Sequence, residues 1–289
     1  MSLKKYLVHF KWVILGVTGL LVAILIILTL TNRNVIRKVK VLMIEYRTVH
    51  YSDEIVPIDT NQVAPIVYDF QTSLANLPAE YRKKKFIDLI LPAILVTRYE
   101  IHKEHLKASQ IWSKMKNNVP VSHADSAFVI GLTKKYQTNS LYEILNKEQL
   151  HPTSIIIAQA ALESGWGTSR FFGLGNNLFG IWSYNSSDPR VNSLIDRNDQ
   201  KIYLRKYNTV KDCIEDYFQT IANSWAYAEF RKKRLEVKDP LALIWYLSQY
   251  SELRYDYVKK LGELMIQNDL QQYDSYQLSD GYIVELNSQ

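Results

Sequence analysis

Hydrophobic and polar positions change their spacing several times along the chain, and each change predicts a new element. Residues 13–31, VILGVTGLLVAILIILTLT, form an uncharged, largely apolar run long enough to cross a bilayer as one helix. Over 32–78 the two residue classes mix without a sustained period, which reads as a stalk. From Ala79 to Met115 the spacing becomes helical, with Phe86, Leu89, Ile90, Ala93, Ile94 and Tyr99 recurring at helical intervals. Pro92 is expected to kink or divide that helix. Its apolar part, Phe86–Val96, is too short to span a membrane. Helical patterns return at Ser126–Tyr136, Leu141–Leu145 and Thr153–Glu163, the last opened by Pro152. Residues 182–207 contain polar stretches and the alternating KIYLRKY, predicting a small hairpin or extended lobe. Thr209 with Asp212 makes a capping box for a helix over Val210–Ala228. Asp239-Pro240 opens another through Tyr250, and Tyr255–Leu270 is a last amphipathic helix. Mostly helices with one small β-rich insert is an α+β class.

The chain therefore divides into a short tail (1–12), a transmembrane anchor (13–31), a stalk (32–78), a helical segment packing on the main domain (79–125), the main domain itself (126–276) and a C-terminal tail (277–289). No small-x-small cleavage pattern comes after the apolar run, which favours a retained anchor over a removed signal peptide. Lys4, Lys5 and Lys11 precede it and Arg33, Arg37, Lys38 and Lys40 lie beyond it, so charge does not choose the orientation. The net charge of +6 over 289 residues is mild and spread out. Without a dense basic block interleaved with aromatics, no nucleic-acid partner is expected. Cys213 is the only cysteine, so no intrachain disulfide forms, and its helical context suggests a core position. His102 and His105, with Glu104 between them, read as a solvated helix face rather than a metal site.

Candidate chemistry gathers in Pro152–Tyr184, PTSIIIAQAALESGWGTSRFFGLGNNLFGIWSY. Glu163 ends an apolar helical run and shares a face with Ile156, Gln159 and Ala160. Partial burial and the negative end of the helix dipole both disfavour its carboxylate, the environment of a general acid. Gly165 and Gly167 allow a sharp turn and close approach of a ligand to the backbone. Asn176 and Asn177 can hydrogen-bond sugar hydroxyl or acetamido groups, while Trp166, Phe179 and Trp182 can offer ring faces to sugars. The residues equally allow a structural reading, in which Glu163 pairs with Arg170 and pins the turn.

The segments Ala158-Gln159-Ala160, Glu163-Ser164-Gly165-Trp166-Gly167 and Asn176-Asn177-Leu178-Phe179-Gly180 resemble the active-site pattern of the bacterial peptidoglycan N-acetylglucosaminidases, a family that includes flagellar and autolysin-type enzymes. RKKKFIDLILPAIL at 82–95, LRKYNTVKDCIEDYF at 204–218 and QYSELRYDYVKKL near the C-terminus are similar to its Bax-type branch, so the resemblance covers about 80–275. It implies a lysozyme-like α+β glucosaminidase domain with a small β-lobe. It places the catalytic acid on Glu163 and Tyr250 in the cleft, with Gln159, Trp166, Asn176, Asn177, Phe179 and Trp182 as substrate-binding candidates. Many members add a second acid in the β-lobe. No glutamate stands there in this chain, and Asp196 and Asp199 are the candidates. The implied activity is cleavage of the β-1,4 bond on the N-acetylglucosamine side of peptidoglycan glycan strands, without metal or organic cofactor. The rivals are a lytic transglycosylase and a non-catalytic wall-binding protein. A wall substrate places the domain on the periplasmic face of the bacterial inner membrane, held to the lipid bilayer by a single pass.

Overall fold

A computed structural model describes Leu20, Val22 and residues 37–192 and 201–288. The expected anchor, 13–31, lies outside these apart from Leu20 and Val22. Among the described residues no helix is long and apolar enough to cross a membrane. The chain forms two compact units. The smaller, described over 37–41 and 284–288, carries a ladder between strands Arg37–Leu42 and Ile283–Ser288. The larger, Leu42–Ile283, is mostly helical with short strands, the predicted α+β class, and holds all the candidate chemistry.

Helix α1, Ala79–Lys116, is the axis of the larger unit. Every residue from Lys85 to Thr97 is buried, so this stretch is surrounded by protein on all sides rather than on one stripe. Packing on every face holds the helix through Pro92, which does not divide it. Two buried polar side chains in this stretch find partners in the expected stalk. Lys85 donates to the Ile55 carbonyl (2.9 Å), and Asp88 accepts from the Ile58 amide (3.0 Å).

That pairing corrects the stalk assignment. Strand Glu45–Val49 pairs in parallel with Ile66–Phe70, and Val49, Ile55, Val67, Tyr68, Phe70 and Leu74 are core residues. Such short strands, packed through irregular connections, leave no period to read. The C-terminal segment is also partly built in, because Gln277–Leu278 pairs in parallel with Gln62–Val63. Helices α2 (His123–Tyr136) and α3 (Leu141–Lys147) pack Leu132, Tyr136, Leu141 and Ile144 on Ala108 and Ile111 of α1. Glu104 is part of this contact rather than of a solvated face, accepting from Lys135 (2.7 Å) and Tyr136 (2.9 Å).

Helix α4, Thr153–Ser164, is buried at every position but Leu162 and Glu163. Asp274 accepts from the Ser154 amide (2.8 Å) and hydroxyl (2.7 Å), placing a carboxylate on the positive end of α4. The other end is closed by Gly165, whose φ of 59° is the left-handed conformation glycine adopts readily. Helix α5 (Arg170–Gly175) comes next, and α6 (Val210–Asn223) starts with the predicted Thr209–Asp212 capping box. The α6 helix stops before the expected Ala228 because Ser224 turns extended and its hydroxyl accepts from the Ala226 amide. A 3-10 turn over Trp225–Tyr227 then leads into α7, Ala228–Lys233. The expected helix to Tyr250 is α8, Pro240–Leu243, continued by a 3-10 turn over Ile244–Leu247. Helix α9, Tyr255–Gln267, closes the core against α4.

Candidate active site

Glu163, the penultimate residue of α4, lies in an open cleft of about 790 Å³. Phe179, Trp182 and Tyr184 line it from the segment after α5, Tyr227 from the turn after α6, and Tyr250 from the segment before α9. Gln219, Thr220 and Asn223 of α6 add polar groups. The open cleft gives solvent access to Glu163, yet protein crowds it from beneath. This desolvation pushes its carboxyl above the usual glutamate range, and the neighbouring Tyr257 hydroxyl acts in the opposite direction. Nearby Tyr227 is pushed up to about 12, mainly by burial and then by the Glu163 charge. Tyr250 is raised in the same direction by burial and by Tyr257 and Glu163. Its ring stacks on Tyr257 at 5.4 Å and 16°.

The ion-pair reading of Glu163 is not what the structure contains. Arg170 is directed elsewhere and donates to the Asn192 carbonyl in the β-lobe (2.7 Å). That lobe pairs strand Arg190–Asn192 antiparallel with Tyr203–Arg205, and a further bridge joins Trp182 to Leu204. It thereby holds Trp182 at the cleft, 38% exposed. Phe179 lies beneath, nearly buried and stacked on Tyr217 at 4.4 Å and 19°.

Four predicted ligand contacts have other roles. Asn176 is buried, accepts from the Phe70 amide (2.8 Å), and donates to Asp69, the Tyr207 carbonyl and the Asn208 carbonyl. Asn177 accepts from the Ile181 amide (2.9 Å) and donates to the Ile181 and Arg205 carbonyls. With their amide groups committed, both asparagines clip the loop that presents Phe179 and Trp182 and do not line the cleft. Trp166 packs edge-on against Phe86 (5.7 Å) in the core, away from the cleft. Gln159 is fully buried beneath Glu163, bonded to Tyr217 and Tyr257. Nor does Gly167 serve a ligand. Its φ is 79°, and an added Cβ would stand 2.9 Å from Leu74 and 3.1 Å from Phe86. The second-acid candidates Asp196 and Asp199 lie outside the described residues.

Among the described residues, two other carboxylates line the cleft. Asp216 of α6 accepts from Arg205 (2.6 Å) and from the Tyr207 hydroxyl (2.6 Å), tying the lobe to the helix. Glu252 is exposed, two residues beyond Tyr250. Sequence reasoning passes over both because, although each lies in a segment that carries the resemblance, nothing local in the sequence gives it a role. Helical spacing likewise reads Tyr257 and Tyr217 as core residues, since it gives a side chain's face but not the reach of its hydroxyl.

A single acid at the end of a buried helix, raised by desolvation in an aromatic-walled cleft, is the geometry of a glycosidase proton donor. Residues 138–270 match the family model of mannosyl-glycoprotein endo-beta-N-acetylglucosaminidase, Glucosaminidase. This part of the chain is similar to a glucosaminidase domain. The glucosaminidase match contains Glu163, the β-lobe and all of α9, while α1, the structural axis, lies before it. The chain is 31% identical over 108 residues to Protein bax of Escherichia coli strain K12, a match spanning 37% of this chain and 36% of that protein, so only about a third of the relative's length is matched. Among solved structures, it resembles the catalytic domain of the autolysin Auto of Listeria monocytogenes (23% identity, 57% of this chain, 96% of that one, TM-score 0.37). Another similar structure is the glycoside hydrolase domain of Salmonella typhimurium FlgJ (25% identity, 50% of this chain, 90% of that one, TM-score 0.34).

Proposed function

We propose that this protein is a membrane-anchored peptidoglycan hydrolase that cleaves the β-1,4 bond on the N-acetylglucosamine side. The observation that carries the proposal is Glu163, its pKa raised by crowding protein, at the floor of a cleft walled by Trp182, Tyr227 and Tyr250 in a glucosaminidase-like domain. Glu163 gives its proton to the glycosidic oxygen as the C1–O bond breaks, and positive charge develops at C1. Asp216, committed to Arg205 and Tyr207, serves as an anchor for the lobe rather than as a base. The sugar's own 2-acetamido oxygen then attacks C1, with Tyr250 orienting it. Water opens that intermediate and returns a proton to Glu163, so proton and bonds balance. Residues 13–31 form the anchor, and the domain faces the wall in the periplasm, where the substrate lies.

Mass spectrometry of purified peptidoglycan digested with the protein tests this reading. Reducing N-acetylglucosamine ends are expected. Anhydromuramic ends would make the protein a lytic transglycosylase, and an undigested wall to which the protein still binds would make it a binding module. The cleft walls give a second expected result. Trp182→Ala removes an exposed ring face and should raise KM for soluble glycan fragments about tenfold while leaving kcat nearly unchanged. Steady-state kinetics on fragments of defined length checks it.

A further inference from the structure

Beneath the cleft floor, four side chains from three helices and the turn before α4 form one continuous chain of polar contacts that ends beside Glu163. His151 Nε2 lies 2.9 Å from the Tyr217 hydroxyl of α6, which donates to Gln159 Oε1 of α4 at 2.7 Å. Gln159 Nε2 donates to the Tyr257 hydroxyl of α9 at 3.1 Å, and Tyr257 neighbours the Glu163 carboxylate closely enough that each shifts the other's pKa. Gln159 and Glu163 are one turn apart on α4, so the chain leaves that helix and returns to it.

Proton counting gives the chain a direction. A phenol has one proton, and that of Tyr217 goes to Gln159, so Tyr217 must accept from His151. Full burial between Arg98, which donates to the His151 carbonyl, and Arg234, which donates to the Asn146 and Lys147 carbonyls, pushes the imidazole pKa well down and keeps the ring neutral. Its one N–H is then on Nε2. The other nitrogen, Nδ1, is buried without a hydrogen-bond partner, a lower cost for a bare lone pair than for a bare N–H. With Oε1 held by Tyr217, the Gln159 amide presents its NH₂ to Tyr257. The Tyr257 oxygen is occupied as acceptor, and its proton is left for Glu163.

We propose that His151, Tyr217 and Gln159 are positioning residues that hold Tyr257 as a permanent donor to Glu163, and so decide which carboxyl oxygen carries the catalytic proton. This rests on Glu163 being the general acid. When Glu163 is protonated, the oxygen that accepts from Tyr257 is the carbonyl one, and the acidic proton sits on the other oxygen. If Gln159 turned over, its Oε1 would take the Tyr257 proton. Tyr257 would then accept from the acid, drawing the catalytic proton away from the substrate. The relay also favours the carboxylate, opposing desolvation. The other titratable groups around Glu163 are Tyr227 and Tyr250, with Arg205, Asp216 and Glu252 elsewhere in the cleft.

Tyr217→Phe is the test, because it removes one hydroxyl while keeping the ring that stacks on Phe179. In the full chain, kcat should fall about tenfold with KM unchanged, the effect of one lost hydrogen bond expressed in the transition state. The alkaline limb of the rate profile should move to higher pH, as in Tyr257→Phe. The double variant should be no worse than Tyr257→Phe alone, because the relay acts through that residue. His151→Gln, which keeps an N–H donor, should stay near wild type, whereas His151→Phe should follow Tyr217→Phe; this pair carries the comparison if Tyr217→Phe fails to fold. Additive losses in the double variant, or an unchanged pH profile in Tyr217→Phe, would overturn the relay. A ¹³C NMR titration of the Glu163 carboxyl, assigned by its absence in Glu163→Gln, separates this outcome from failure of the enzymatic reading. It should move upward in Tyr217→Phe even if the protein cleaves no wall, and an unmoved titration sinks the relay alone.

Discussion

Glu163→Gln should lower kcat for peptidoglycan cleavage by roughly 10²- to 10⁴-fold, the range of a general acid's contribution, and leave the fold intact. Glutamine keeps the shape and the contact with Tyr257 but cannot give up a proton. The pH dependence comes from the direction of the pKa shift. Desolvation raises the acid's pKa, and only the protonated form is active, so activity holds at low pH and falls as pH rises through that raised value. The alkaline limb therefore lies above the position an ordinary solvent-exposed glutamate would give. The same shift has a consequence for stability. An acid whose folded-state pKa is raised binds its proton more tightly folded than unfolded, so stability is lost as pH rises from the unfolded value through the folded one. The neutral amide escapes that loss, and Glu163→Gln should melt at or above the wild-type temperature at neutral pH. Initial rates of wall solubilisation and thermal melts, both across pH, check the two effects together. Unchanged rates would remove Glu163 from the chemistry. A lower melting temperature at neutral pH would assign its carboxylate a structural role.

Glu163 is legible in the sequence because its signal is local: an acid ending an apolar run, with a glycine just beyond that closes the helix. The helices with their own start signals, such as Thr209–Asp212 and Asp239-Pro240, are legible for the same reason, although their ends are not. Those ends depend on Ser224 and on the 3-10 turn over Ile244–Leu247, where tertiary packing and side-chain-to-backbone bonds outweigh periodicity. The segment 44–78 reads wrongly as a stalk because parallel strand pairing and the contacts of Ile55 and Ile58 with α1 link residues distant in sequence. Asn176 and Asn177 mislead for a related reason. An amide suited to a sugar is equally suited to a backbone, and only burial distinguishes the two. The cleft's tyrosines sit at core-like spacing, and the relay from His151 to Glu163 joins residues 151, 159, 163, 217 and 257 through hydroxyl directions that no pattern encodes.

Asn176→Ala should destabilise the protein by about 3–5 kcal/mol, combining the unsatisfied polar groups it would leave with a strained backbone. Asn176 ends α5 with φ 52°, a left-handed conformation that asparagine adopts more readily than alanine. Its Oδ1 is the acceptor for the buried Phe70 amide, and its Nδ2 holds Asp69 of the same strand together with the Tyr207 and Asn208 carbonyls before α6. One side chain therefore ties the Ile66–Phe70 strand, the end of α5 and the entry to α6. Removing it leaves the Phe70 N–H without its partner in the buried interior. Asn176→Gly separates the two costs: it relieves the backbone strain but restores none of the hydrogen bonds, so most of the loss should remain. Asn176→Asp retains the Oδ1 acceptor but turns a donor into a second oxygen facing Asp69 and two carbonyls, and should be no better than alanine. A domain of this size loses about 2–4 °C per kcal/mol, so thermal melting of Asn176→Ala should drop by roughly 10 °C. KM for the protein that remains folded should be unchanged. A wild-type melting temperature with a raised KM would instead put Asn176 in contact with sugar.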